Sequence, residues 1–415
     1  MVSAAAASGR EVLNPRSWRS RAGAIVLAAL SAAAVSACGS RAGAPSPLAR
    51  VQGATIHPSL ATSIETSAGS WVTVPMGHLD QPLNTFWQLF FRPRGARQWS
   101  NTASALAVAT NGGLVLATDA GKSLTIGIRP TNYLAYSPLI VTSNARSWSS
   151  ATPLGALAEQ PDALAVTAGG AALALVAGAR TDEVSASSAG LAGWRTLVTA
   201  AELSDSRPGR VCGVGSITAV GFLGTQELVG ASCARRGVVG VFSAPRGSWR
   251  RDSLQLVGPR LSSSLGHSGS RVLGLQATST ELCALVSLVR EDGAELVAAC
   301  TRGGTRNWRV SPALPVPNGD DVISFGPTDG SGLFALTSGP AHRPTLAVLR
   351  VADMGWDTLA SPPPGTDTVV FGPAGSVDAF VANDTLCTDW SLGVATKRWT
   401  RAQQIQVAIQ FGSSS

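Results

Sequence analysis

The chain of 415 residues is 45% hydrophobic and only 14% charged, with 45 Gly, 24 Pro and 11 Trp, a composition that suits many short buried strands joined by turns and argues against long charged helices. Its formal charge of +7 comes from scattered arginines and not from a basic stripe interleaved with aromatics, which argues against nucleic-acid binding. Only Lys122 and Lys397 are lysines among the 32 basic residues, so the arginines read as a compositional background.

In chain order, the first element is an address. Arg16, Arg19 and Arg21 precede the apolar run Ala22–Val35, and small residues follow. This is the layout of a secretory signal, and the run is shorter than the roughly 20 apolar residues that span a bilayer. Val35-Ser36-Ala37-Cys38, followed by Gly39, resembles the bacterial lipobox, in which the cysteine directly after the cleavage site is lipidated. The resemblance implies a signal peptide over residues 1–37 and Cys38 as the acylated first residue of the mature protein, a palmitate-type modification. The protein would then be held at the cell membrane on its extracytoplasmic side, each buried methylene contributing about 0.8 kcal/mol. Removing the four Arg and one Glu of residues 1–37 lowers the formal charge from +7 to +4. Residues 38–69, with Gly43-Ala-Pro-Ser-Pro47, read as a flexible tether.

Beyond the tether, tryptophans 99, 148, 194, 249, 308, 356 and 399 are separated by 49, 46, 55, 59, 48 and 43 residues. This is the period of a four-stranded propeller blade. Short apolar runs recur between them: Leu106-Ala-Val-Ala109, Leu164-Ala-Val-Thr167, Ile217-Thr-Ala-Val220, Val272-Leu-Gly-Leu275, Val322-Ile-Ser-Phe325, Thr368-Val-Val-Phe371 and Ile405–Phe411. We expect an all-β, seven-bladed β-propeller over residues 70–412. The segment from Trp71 to Trp99 has no such run before it, whereas the chain stops just after its last one. The strand Ile405–Phe411 is therefore expected to pair into the N-terminal blade and close the ring, hiding both sheet edges. For one complete unit the expected strands are Arg271–Ala277, Glu281–Val289, Ala294–Thr301 and Trp308–Ser311, with Glu291-Asp-Gly293 as a hairpin turn. Ala156–Glu159 and Val198–Leu203 are expected as single helical turns.

In an exported protein disulfides are allowed. Cys283 and Cys300 fall on two strands joined by one hairpin, and Cys212 and Cys233 flank the hairpin at Gly224-Thr225, so 212–233 and 283–300 are the expected pairs. Cys387 remains as a small buried residue, with no activating His or Lys nearby in sequence. No metal is expected, since no Cys-x-x-Cys pair exists and histidines 57, 78, 267 and 342 are isolated.

The tryptophan turns Arg94-Gly-Ala-Arg-Gln-Trp99, Arg246-Gly-Ser-Trp249, Gly304-Thr-Arg-Asn-Trp308 and Asp353-Met-Gly-Trp356 resemble degenerate copies of the Asp-box (BNR) repeat of sialidase-type propellers, a structural turn between third and fourth strands. A nearer match in letters, Thr118-Asp-Ala-Gly-Lys-Ser-Leu124, lacks the Trp and reads as a turn between second and third strands. The resemblance implies fold and not activity. An active sialidase needs an arginine cluster and a tyrosine nucleophile with a carboxylate partner. Here the only tyrosines, Tyr133 and Tyr136, lie in a connection unlike the family's catalytic strand. Gly266-His-Ser-Gly-Ser270 fails the Gly-x-Ser-x-Gly pattern, and no phosphate-binding glycine loop is present.

The candidate binding residues are those that lead into innermost strands and rim the central channel: Asp162, Arg207, Arg210, Arg260, Arg271, Asp320, Asp321 and Asp367. Trp87 and Trp390 either stack on sugars or, as we expect, pack against a neighbouring blade. The sequence thus points to a monomeric, non-enzymatic binding or scaffolding lipoprotein without a cofactor, engaging an envelope protein or glycan. A diverged sialidase-type glycoside hydrolase is the alternative.

Overall fold

Short, strongly apolar segments broken by Gly and polar turns leave the backbone one economical way to satisfy its hydrogen bonds, antiparallel pairing with the next segment. The computed structural model describes residues 62–77, 85–102, 113–119, 121–128, 139–150, 161–177, 182–188, 190–191, 193–262, 268–277, 281–290, 293–328, 332–340, 342–372, 375–393 and 395–408. Strands β1 (Ser63–Thr66), β2 (Gly69–Gly77), β3 (Thr85–Pro93) and β4 (Ser100–Asn101) form the first meander. The second is β5 (Leu114–Thr118), β6 (Leu124–Ile128), β7 (Leu139–Thr142) and β8 (Ser149–Ser150), and the third is β9 (Ala163–Val166), β10 (Ala172–Ala177), β11 (Asp182–Ser187) and β12 (Trp194–Thr199). Helices α1 (Ala200–Asp205) and α2 (Arg207–Cys212) follow.

A nine-stranded sheet then holds two successive meanders, β13 (Val214–Leu223), β14 (Gln226–Cys233), β15 (Gly240–Ser243) and β16 (Gln255–Leu256), then β17 (Gly269–Ala277), β18 (Glu281–Arg290), β19 (Gly293–Arg302), β20 (Trp308–Val310) and β21 (Leu314–Val316). They are joined where Ser232 and Cys233 of β14 pair with Arg271 and Ser270 of β17. Two four-stranded sheets complete the chain: β22 (Asp321–Pro327), β23 (Leu333–Gly339), β24 (His342–Arg350) and β25 (Gly355–Thr358), then β26 (Thr366–Phe371), β27 (Val377–Asn383), β28 (Leu386–Gly393) and β29 (Arg398–Gln406). No helix among the described residues is long and apolar enough to cross a membrane.

The meanders stand side by side, so central strands are buried on both faces: all eight residues from Glu281 to Leu288 are buried. Their first strands lie inside; the parallel bridge between Asp119 and Val166 sets β5 and β9 in the same direction, and the antiparallel pairings of β14 with β13 and β17 do the same for those two. The first meander packs against the last, where Val72, Val74, Phe90 and Trp99 meet Val370, Phe380 and Cys387, Gly77 N donates to Asp384 O at 2.9 Å and Arg92 pairs with Asp378. This is a β-propeller.

The tryptophans behave as spacers between sheets. Trp308 Nε1 donates to Val257 O at 2.7 Å, Trp356 Nε1 to Ser311 Oγ at 3.0 Å and Trp399 Nε1 to Ala360 O at 3.0 Å. Each bond reaches the segment just after the preceding meander's fourth strand. Trp148 meets Trp71 edge-on at 6.1 Å. Trp87 and Trp390 are partly buried and packed in apolar clusters, which is packing and not an open sugar platform.

Several expectations need correction. The inner strand of the first meander is Ser63–Thr66, inside the stretch read as tether. Ile405 and Gln406 pair with Cys387 and Leu386 on β28, so they do not supply the N-terminal sheet, where β1 already occupies the free edge of β2; residues 409–411 lie outside the described residues. The physical reason is chemical: the segment that takes this inner place is anchored by hydroxyls and not by apolar side chains. Thr62 Oγ1 lies 2.6 Å from Ser324 Oγ and also contacts Thr368 Oγ1, all three residues being buried. A search for apolar runs passes over such a strand. Among the described residues the second meander begins with β5 at Leu114; Leu106–Ala109 lies outside the described residues. Thr118–Leu124 is therefore the turn between that meander's first and second strands. The turn expected at Val198–Leu203 grows into two helices. Thr199 and Glu202 form a capping box, with Glu202 N donating to Thr199 Oγ1 at 3.2 Å and Thr199 N to Glu202 Oε2 at 2.9 Å, and Ser206 caps α2. Ala156–Glu159 lies outside the described residues.

Both disulfides form as paired in the sequence, Cys212–Cys233 and Cys283–Cys300, and Cys387 is free and buried on β28. The first closes a 21-residue separation and ties α2 to the end of β14. Replacing both of its cysteines with serine is expected to lower stability by about 3 kcal/mol, mainly by freeing the unfolded chain. An unchanged urea midpoint under non-reducing conditions would count against this.

Candidate functional site

The first strands of β1–β4, β5–β8, β9–β12, β13–β16, β17–β21 and β22–β25 enclose a cavity of about 660 Å³ on the propeller axis. Its size is that of an ordinary small-molecule site. Ile64, Val115, Val166, Val220, Leu275 and Phe325 supply apolar wall, and Thr118, Thr167, Thr225 and Gln276 place polar groups where these strands end in their first hairpins. Asp162 is the one charged residue among the described lining residues. Small residues make room for this wall: Gly221 and Gly274 let neighbouring inner strands approach, a Cβ on either meeting Leu275 or Phe325.

At the end where the inner strands begin, residues from three meanders converge. Asp162 precedes β9 and is buried, its N–H donating to Leu175 O at 2.7 Å. Asp182 Oδ2 accepts from Ile217 N at 3.0 Å. Burial pushes the Asp182 carboxyl above the ordinary carboxylate range; the Ile217 N–H opposes this, the Asp162 charge adds to it and Arg271 opposes it. Burial also pulls the Arg271 guanidinium down, with Asp182 holding it up. The structure therefore brings together Asp162 and Arg271 of the eight expected residues, around an Asp182 that the sequence did not flag. Asp182 hydrogen-bonds a partner 35 residues away, and nothing local announces it.

The other six candidates are placed elsewhere. Arg207 and Arg210 are exposed on α2, and Arg210 donates to Asp205 O. Arg260 is exposed beside Val238. Asp320 is fully buried, and Asp321 opens β22. Asp367 Oδ2 accepts from Ala382 N at 2.8 Å, and burial pushes its carboxyl up to about 7. None of the six lines the cavity; being at the start of an inner strand does not aim a side chain at the axis. Tyr133, Tyr136, Cys38 and His267 lie outside the described residues. Among the described residues no group of three or more His, Cys, Asp or Glu could hold a metal ion.

Against known proteins, no family model and no curated sequence matches the chain. Solved structures do match its fold. A protein from Lactobacillus plantarum is similar with a TM-score of 0.51 at 12% identity, covering 81% of this chain and 96% of that one. The periplasmic gluconolactonase of Pseudomonas aeruginosa gives 0.50 at 13% identity over 81% and 96%. The six-bladed fungal lectin of Aleuria aurantia gives 0.43 at 12% identity over 84% and 96%. At these identities the first two likenesses speak for the fold alone, an all-β propeller.

Proposed function

We propose that this chain is a membrane-tethered, extracytoplasmic lipoprotein whose seven-bladed, closed propeller binds or scaffolds another envelope component without catalysing a reaction. The observation that carries the reading is the cavity: its described lining is apolar and hydroxylic, with Asp162 as its single charged residue and no Arg, Lys, His, Glu or Tyr. A sialidase-type hydrolase, the alternative, needs at least two arginines and a carboxylate pair converging on the substrate, the carboxyl groups about 5–9 Å apart. Asp162 and Asp182 offer carboxylates, but Arg271 is the one guanidinium that faces them in the charge interactions of this cluster. A non-enzymatic site fits this lining better.

The test is capture of partners from cross-linked cell envelopes with the wild-type chain and with Ala165→Trp, which fills the cavity from β9. A reproducible partner recovered by the first and lost with the second is the expected result. Recovery of nothing reproducible, or hydrolysis of a fluorogenic sialoside by the purified protein, would overturn the reading. The tether has its own assay: Cys38→Ser should move the protein from the membrane to the soluble fraction, and unchanged membrane association would refute lipidation at Cys38.

A further inference from the structure

The arginines that look scattered in the sequence are set on one face by the fold. In a meander whose first strand runs the same way in every copy, the turn between third and fourth strands always falls at the end where the first strand finishes. Six of these turns carry an exposed arginine within two residues of the repeat tryptophan: Arg97, Arg146, Arg195, Arg250, Arg306 and Arg398. The tryptophans beside them are fixed by contacts such as the bonds from Trp308 and Trp399 to the preceding meander, so the arginines are held at set places around one face while their guanidinium groups stay in water. Among the described residues none of the six takes part in an ion pair. Elsewhere arginines are matched: Arg92 by Asp378, Arg290 by Glu295 and Arg309 by Glu281. The β22–β25 sheet shows the contrast on the same face, since its Arg350 is bound by Asp353 at 3.0 Å and Asp357 at 3.2 Å. Apart from those two, Asp252 is the one carboxylate of these turns among the described residues.

The cavity reaches this same face, because Thr118, Thr167, Thr225 and Gln276 belong to the ends of inner strands or to their first hairpins. We propose that these arginines form a crown that binds an extended polyanion, a polymer with closely spaced phosphate or carboxylate groups, wrapped along the rim of this face. Planar guanidinium forks match both anions in two-point hydrogen bonds, and unpaired charges on one face create an attractive field for a chain of anions. A polymer suits the geometry better than a bilayer: β1 begins with Ser63 at the opposite end, so the chain enters the propeller on the face away from the crown. The inference deepens the binding reading, on which it rests, by naming the partner's chemistry.

The experiment titrates the detergent-solubilised full chain with labelled inorganic polyphosphate, with polygalacturonate and with phosphatidylglycerol vesicles, at rising salt. Binding of at least one polymer, weakening steeply with salt, is expected, and which polymer binds assigns the anion. Replacing all six arginines with glutamine should weaken that binding about 100-fold or more and flatten the salt dependence, whereas Arg235→Gln with Arg236→Gln, in the turn between β14 and β15, should leave it unchanged. The inference is overturned if the six-residue variant binds like the wild type, if neither polymer binds, or if only vesicles do. Envelope capture run in parallel separates the two failures. Loss of polymer binding with capture intact removes the crown alone, and absence of capture removes the binding reading beneath it.

Discussion

Replacing Gly274 with alanine is expected to destabilise the propeller by about 3 kcal/mol. A Cβ at this position would lie 2.0 Å from Cζ and 2.4 Å from Cε2 of Phe325, distances at which something must move. Neither partner moves freely. Gly274 sits on β17 just past a register shift opposite β18, in the interior of the nine-stranded sheet. Phe325 is 7% exposed and packs with Leu273, Leu285, Val322 and Ala335. The ring could retreat only toward the cavity it lines, so the substitution should also reduce the space available to a ligand. A double-mutant cycle decides whether this one contact is responsible. Phe325→Leu alone should cost about 1–2 kcal/mol for lost packing, yet in the Gly274→Ala background it should restore more than half of the lost stability. A wild-type urea midpoint for Gly274→Ala, or strictly additive effects of the two changes, would show that the close approach is not what the glycine serves.

The same pair explains how far the sequence could be read. Val272-Leu-Gly-Leu275 and Val322-Ile-Ser-Phe325 stand out as inner strands because they are apolar, β-branched and periodic with the tryptophans, and the structure places both at the axis. The strands of the Cys283 unit and both disulfides were legible for a related reason: hairpin partners are close in sequence, so pairing follows from spacing. What escaped was set by contacts at long range. Thr62 reads as linker until Ser324 and Thr368, more than 260 residues away, give its hydroxyl partners, and the inner strand that begins at Ser63 is missed with it. Asp182 had no local signal either. The arginine crown had one, since an arginine stands within two residues of six repeat tryptophans, but its meaning depends on all those turns sharing one end of the fold.

Stability is expected to fall as pH rises from about 5 to 8, with Asp389 as a principal cause. Asp389 lies on β28 at 2% exposure. Burial pushes its carboxyl up to about 7; the neighbouring Asp378 carboxylate pushes the same way, and the Arg92 guanidinium opposes them. Arg92 is itself engaged by Asp378, which also accepts from Ser391 Oγ at 2.6 Å. Asp389 therefore has to keep its proton to sit comfortably beside that pair. In the unfolded chain the carboxyl titrates near 3.9, so the folded state holds a proton that the unfolded state has lost between about pH 4 and 7. The stabilisation is complete below that window and disappears as pH rises through 7, an upper limit of about 4 kcal/mol. Asp367, raised to about 7 mainly by burial, adds a second slope of the same sign. These groups lie where the last sheet meets the first, with Arg92 stacked 4.5 Å over the Trp99 ring, so the contact between the two ends of the propeller is the part that alkaline conditions strain. Asp389→Asn keeps the shape and cannot ionise, and its melting temperature should fall less between pH 5 and 8 than that of the wild type, the residual slope belonging to Asp367. Identical pH slopes for the two proteins would clear Asp389 of the effect, and a wild type that gains stability with rising pH in this window would reverse the sign argued for both carboxyls.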